Sequence, residues 1–147
     1  MEMSEALMQA LCNGGRFAAV GLAAIGSALG TGTAGQAAVG AMKKCYAQNK
    51  PASFLLVALA GFPLSQTLYG LVMMLLLTKD AASWPQALLI GILGGAGMGV
   101  SAWYQGKAAA AACDSLGETG KGFANYVIIL GIIETVAIFT LVFALLV

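Results

Sequence analysis

Residues 125–147 form an apolar run whose only charged side chain is Glu134. A carboxyl group near the centre of a membrane helix costs roughly 2.5 to 3.5 kcal/mol on insertion scales, which makes it a functional-site hypothesis by default. Earlier in the chain, Phe62, Ser65, Gln66 and Tyr69 recur at intervals of three and four, so they share one face of a helix. Three of these four carry side-chain oxygen. Pro63 removes the hydrogen bond to the Leu59 carbonyl and is expected to bend the helix there. Within a bilayer such a bend is tolerated where the loosened carbonyl finds another partner, and a cation is one candidate. A third apolar run adds Gln105. A carboxylate, hydroxyls, amide oxygens and a backbone carbonyl make the all-oxygen set that a hard cation prefers. The competing use of such groups is hydrogen bonding between helices, worth about 0.6 kcal/mol per pair. That use suffices for Ser65 or Tyr69 taken alone. It leaves Glu134 without a basic partner at its depth unless Lys107, which lies nearer the end of the third run and can snorkel, turns toward it and makes a structural ion pair.

The elements that must position these residues are apolar and long. Of 147 residues, 60% are hydrophobic and 9% charged, histidine is absent, and the mean hydropathy is +0.89. A soluble domain needs more surface charge than this. A net charge of +1 and 8% aromatic residues supply neither a basic field nor a stacking platform for nucleic acid. Residues 17–42, 52–78, 85–113 and 122–147 each reach the ~20 residues that a helix needs to cross a bilayer. The runs are continuously apolar rather than alternating, which favours helices over a barrel. The predicted fold is an all-α membrane protein: one domain, residues 1–147, with four transmembrane helices in two hairpins at about 11–78 and 85–147. The opening ten residues carry Glu2 and Glu5 and no basic residue, the wrong flank for a signal peptide, and are expected to stay on. Cys12, Cys45 and Cys113 lack CxxC spacing and read as small packing residues.

Thin and thick spans alternate. Gly21, Gly26, Gly30, Ala34 and Ala38 lay a smooth stripe along the first, and Gly91, Gly95, Gly99, Gly106 and Ala110 do so in the third. The second carries Leu71, Met73, Met74, Leu75 and Leu76, and the fourth Ile128, Ile129, Ile132, Ile138, Phe139 and Phe143. The pattern predicts a duplicated hairpin in which thin helices crowd together and thick ones face lipid. Gly35-Gln36-Ala37-Ala38 aligns with Gly106-Lys107-Ala108-Ala109, and Leu64-Ser65-Gln66-Thr67 with Ile132-Ile133-Glu134-Thr135. Gln66 then stands in the first hairpin where Glu134 stands in the second, giving one ionisable site per two hairpins. Lys43, Lys44 and Lys50 crowd the first connection, so the positive-inside rule puts it, and the third connection with Asp114, Glu118 and Lys121, in the cytoplasm, with both termini outside. Trp84 and Tyr46 sit where interface aromatics belong. Gly30–Gly35 satisfies GxGxxG but lies inside a predicted membrane helix, and Gly120-Lys121 lacks the rest of a P-loop, so no nucleotide-binding site is expected.

The segments Gly26-Ser27-Ala28-Leu29-Gly30-Thr31-Gly32, Pro63-Leu64-Ser65-Gln66-Thr67-Leu68-Tyr69-Gly70 and Gln105-Gly106-Lys107-Ala108-Ala109-Ala110, with the embedded Glu134, resemble the duplicated four-helix proteolipid of V-type ATPases, called subunit K or the c subunit in bacteria. The resemblance implies a closed ring of identical copies in the lipid. This ring turns against a membrane stator subunit that bears an arginine, and a central stalk at the cytoplasmic loops couples it to a soluble ATPase head. It also implies a bacterial plasma membrane and a chain that is no enzyme on its own. In sodium-transporting members, the positions matching Glu134, Ser65, Gln66 and Gln105 give side-chain oxygens, the position matching Phe62 gives its backbone carbonyl, and the tyrosine matching Tyr69 hydrogen-bonds the acid. Ser65 stands where threonine is expected and Phe62 where leucine is expected. The hydroxyl survives the first change and the carbonyl the second. The expected cargo is Na+, with H+ as the alternative, since a proton needs little more than the carboxyl group in an apolar pocket. A small proton-coupled secondary transporter with an intramembrane Glu is the rival reading and predicts small oligomers with an aromatic-lined cavity. In a purely structural scaffold, Glu134→Gln would leave transport intact.

Overall fold

The computed structural model describes residues 3–147; Glu2, part of the acidic opening, lies outside the described residues. Ser4 caps the first helix, its hydroxyl oxygen accepting the Leu7 N–H, and α1 then runs through Glu5–Ala47. α2, Leu55–Gly61, passes through a 3-10 turn at Phe62–Leu64 into α3, Ser65–Leu76. A short 3-10 turn, Ala81–Ser83, leads to α4, Trp84–Thr119, and α5 covers Phe123–Ala144. Among the described residues four helical spans, counting α2 and α3 as one, are long and apolar enough to cross a membrane.

Two of these spans extend well past the predicted runs. α1 has 43 residues and α4 has 36, against 22 in each outer span. Hydropathy marks where a helix meets hydrocarbon, and says nothing about where the hydrogen-bonded ladder ends. Here the ladder continues because α1 and α4 pack in parallel over nearly their whole lengths, from Gly15 against Leu88 to Ala41 against Gly117. A Cβ on Gly26 would run into the Gly99 backbone, and one on Gly106 into that of Gly30, so the two backbones touch. The buried stripe on α1 is Gly15, Ala19, Ala23, Gly26, Gly30, Ala34 and Ala38. Gly21, expected in it, instead faces the Phe17 ring, and Ala110 is only half-buried on α4. Gly21 stands five residues before Gly26, about 140° round the helix at 3.6 residues per turn, and so leaves the face that the four-spaced Gly26, Gly30, Ala34 and Ala38 share.

The thick helices lie outside this pair. Ile128, Ile132, Phe139 and Phe143 of α5 and Leu68 and Leu75 of α3 point outward. α4 ends on Gly120 at φ 65°, whose N–H caps the Leu116 carbonyl, and α5 starts after Gly122 at φ 89°. These left-handed conformations are cheap for glycine and turn the chain sharply into the last span. At the same end of the molecule Lys44 Nζ lies 2.7 Å from Asp114 and 3.1 Å from Glu118, joining the ends of α1 and α4. Cys12, Cys45 and Cys113 are buried and donate to the carbonyls of Thr78, Gly117 and Leu56, as packing residues do.

The interior is divided. One apolar cluster gathers Ala34, Ala38, Leu56, Leu59, Ala109, Cys113 and Leu130, and another gathers Ala19, Ala23, Met73, Met98 and Ala137. Between them in chain order on each helix stand Ser27, Gln66, Ser101, Gln105 and Glu134.

Candidate ion-binding site

The site is built on the break between α2 and α3. Pro63 tightens the chain into a 3-10 turn, in which the Phe62 N–H reaches the Leu59 carbonyl and the Ser65 N–H reaches the Phe62 carbonyl. The expectation of a loosened Leu59 carbonyl is thus corrected, because the turn gives it a new donor. The carbonyl at the site belongs to Phe62, and it also accepts from Ser65 Oγ at 3.1 Å.

A chain of hydrogen bonds runs from this turn to the acid. Ser65 Oγ also lies 3.3 Å from Gln66 Oε1, and Gln66 Nε2 donates to Gln105 Oε1 at 2.9 Å. Gln105 Nε2 in turn donates to the Leu130 carbonyl at 2.9 Å and to Glu134 Oε2 at 3.4 Å. Tyr69 Oη donates to the other carboxylate oxygen, Oε1, at 2.6 Å. All six residues singled out by sequence, Phe62, Ser65, Gln66, Tyr69, Gln105 and Glu134, therefore meet, although they come from three spans. Gln66 and Gln105 have no exposed surface, a depth at which amides must be paired. Glu134 and Ser65 are half-buried and border an open groove with Ala58, Gly61, Phe62, Leu64 and Leu68.

Lys107 does not pair with the acid. Its ammonium lies 4.3 Å from the ring centre of Trp103 and 4.9 Å from that of Tyr104, on an exposed face of α4. Among the described residues no three His, Cys, Asp or Glu side chains cluster, so a cation at Glu134 would meet one formal negative charge and otherwise neutral oxygens. That balance suits one proton or one monovalent ion. The GxGxxG segment Gly30–Gly35 lies inside α1, with Gly30 pressed against Ala102, and forms no strand-to-helix turn.

One residue at the site escaped the sequence reading. Ser101 Oγ donates to the Ile133 carbonyl at 3.0 Å. Its spacing of four from Gln105, which puts both on one helix face, was the available signal.

The chain matches no curated protein sequence at a significant level. A family model does match, that of the ATP synthase C subunit, and it does so twice, over residues 15–77 and 88–147, one copy for each hairpin. The two matches span most of the chain, which therefore belongs to the ATP synthase C-subunit family, the non-catalytic proteolipids that form the membrane ring of ion-translocating ATP synthases and ATPases.

Proposed function

We propose that this chain is the rotor-ring proteolipid of a V-type rotary ATPase and that it carries Na+ across the membrane on Glu134. The observation that carries the reading is the network around that side chain: the carboxylate meets Tyr69 and Gln105, and through Gln105 it connects to Gln66, Ser65 and the Phe62 carbonyl. A proton carrier has no use for so many oxygens, whereas a sodium ion needs them to replace its water. In the cation-bound state Gln66 Oε1, Gln105 Oε1, Ser65 Oγ, the Phe62 carbonyl and one Glu134 oxygen face the ion, and Tyr69 holds the other carboxylate oxygen. Gln105 Oε1 then exchanges the Gln66 N–H for the ion.

The cycle follows from electrostatics. A bare carboxylate cannot cross lipid, so Glu134 travels masked by its cargo. At the stator a fixed arginine draws the carboxylate through the groove beside Phe62, Leu64 and Leu68 and frees the ion. Each monovalent ion moved against 100 mV costs about 2.3 kcal/mol, and one acid per two hairpins lowers the number of ions per turn for a given ring circumference, which suits pumping, while the coupled head hydrolyses or makes ATP. The lysine-rich connection and the Lys44–Asp114–Glu118 cluster face the cytoplasm and the central stalk, in a bacterial plasma membrane with both termini outside.

Carbodiimide labelling of purified rings at fixed pH tests the cargo. Sodium is expected to protect Glu134 from the reagent, and equal labelling with and without sodium would move the assignment to protons. Native mass of the detergent-solubilised particle tests the assembly, since a dimer would point instead to a secondary transporter.

A further inference from the structure

The helix that bears Glu134 is the one least held by packing. α5 is apolar on every side and buries only Leu130 and Ala137, so the hydrophobic effect gives it no preferred rotation in lipid. Its acid must nevertheless point at Tyr69 and Gln105. Two side chains of α4 grip its backbone just ahead of that residue: Gln105 Nε2 on the Leu130 carbonyl and Ser101 Oγ on the Ile133 carbonyl, at 2.9 and 3.0 Å. Gln105 also serves the carboxylate and Gln66, so its grip is tied to the state of the site. Ser101 is buried, and among the described residues its hydroxyl bonds only to the carbonyl of the residue before Glu134.

We propose that Ser101 is a positioning residue, a clamp between α4 and α5 that fixes the rotation of α5 and so the aim of Glu134. A backbone carbonyl keeps a second lone pair after its helical bond, and in hydrocarbon no water competes for it. Rotation of α5 by about 30° would move an atom at about 2.3 Å from the axis by about 1 Å, enough to break a bond of this length. The clamp makes no contact with the carboxylate, so it holds while Gln66 and Gln105 rearrange around a cation. This inference rests on the reading of Glu134 as the ion carrier.

The test uses intact rings carrying S101A and S101T. Half-protection of Glu134 from carbodiimide is expected to need about three- to tenfold more sodium in S101A, the range that one interhelical hydrogen bond supports. S101T keeps the hydroxyl, and its methyl can point into the groove lined by Ala96, Gly97, Val100 and Val136, so it is expected to stay within about twofold of the parent. A second readout does not depend on the cargo. The Thr-Val pair occurs once in the chain, at residues 135–136 of α5 and clear of the carbonyl that Ser101 holds, so carbonyl-labelled threonine with amide-labelled valine gives one solid-state NMR cross-peak that reports the setting of α5 and not the loss of the bond itself. That peak is expected to shift in S101A and to keep its position in S101T. Unchanged protection together with an unmoved peak in S101A overturns the clamp, as does a loss of ring yield with unchanged sodium protection. If the parent ring shows no sodium protection, the sodium reading fails by itself, and the cross-peak alone then decides the clamp.

Discussion

The two halves of this chain have the same plan and opposite chemistry. Leu55–Leu76 and Phe123–Ala144 are both 22 residues long, and Gln66 and Glu134 fall at the same place in each. Extended along the hairpins, the alignment pairs Phe62 with Leu130, Ser65 with Ile133, Tyr69 with Ala137 and Ala34 with Gln105. Apart from Gln66, whose counterpart is Glu134 itself, each polar side chain around Glu134 thus has an apolar counterpart, and a second site of the same kind cannot form from those counterparts. Exposure differs as well: Gln66 is fully buried, while Glu134 borders an open groove. The second hairpin carries the acid and the first carries most of the polar groups of the network around it. The difference teaches that, on the proposed reading, one ion per two hairpins follows from where the polar atoms lie, and it predicts that adding an acid would not make a second carrier.

Moving the acid is the sharpest way to break the comparison. Glu134→Gln is expected to abolish carbodiimide labelling and to reduce ATP-driven sodium uptake by the reconstituted whole enzyme to background. The exchange Gln66→Glu with Glu134→Gln is expected to restore neither, because Tyr69 Oη and Gln105 Nε2 aim at position 134 and the groove opens there. Recovery of uptake in the exchanged protein would show the halves to be equivalent after all.

The next largest effect contrasts two aligned glycines. Gly26→Ala puts a methyl group into the Gly99 backbone, an overpacking that costs about 1 to 3 kcal/mol or more, and is expected to lower the yield and thermal stability of rings. At Gly97, its counterpart in the second hairpin, a Cβ meets only the Thr140 side chain, so Gly97→Ala is expected to leave ring stability nearly unchanged. Equal losses at both positions would mean that the hairpins pack alike.

Ligand deletions sharpen the comparison in finer steps. Gln105→Ala, which gives the second hairpin the small residue that the first has at Ala34, removes a donor to the acid and leaves Gln66 Nε2 without its acceptor. It is expected to raise the sodium concentration for half-protection by about 10- to 100-fold, on the scale of a hydrogen bond to a charged group. Tyr69→Phe removes one hydroxyl and leaves the acid its Gln105 contact, and is expected to raise it by about tenfold. A result at Tyr69 larger than that at Gln105 would make the first hairpin the stronger holder of the carboxylate.

The composition and the period of the apolar runs determined the membrane class, the four spans, the duplication and the identity of the charged residue. These are properties of short stretches read against one solvent, and lipid tolerates few alternatives. The helix face shared by Ser65, Gln66 and Tyr69 was legible for the same reason, since three- and four-residue spacing is a local fact. Whether those residues would meet Gln105 and Glu134 was a matter of how three spans pack, and the tertiary structure decided it. Packing likewise decided that α1 and α4 outrun their apolar cores, that Lys107 rests on Trp103 and Tyr104 and leaves the acid alone, and that the Leu59 carbonyl stays bonded while that of Phe62 faces Ser65. Ser101 belongs with these: its partner is a backbone carbonyl on another helix, and no residue pattern announces a carbonyl, because every residue has one.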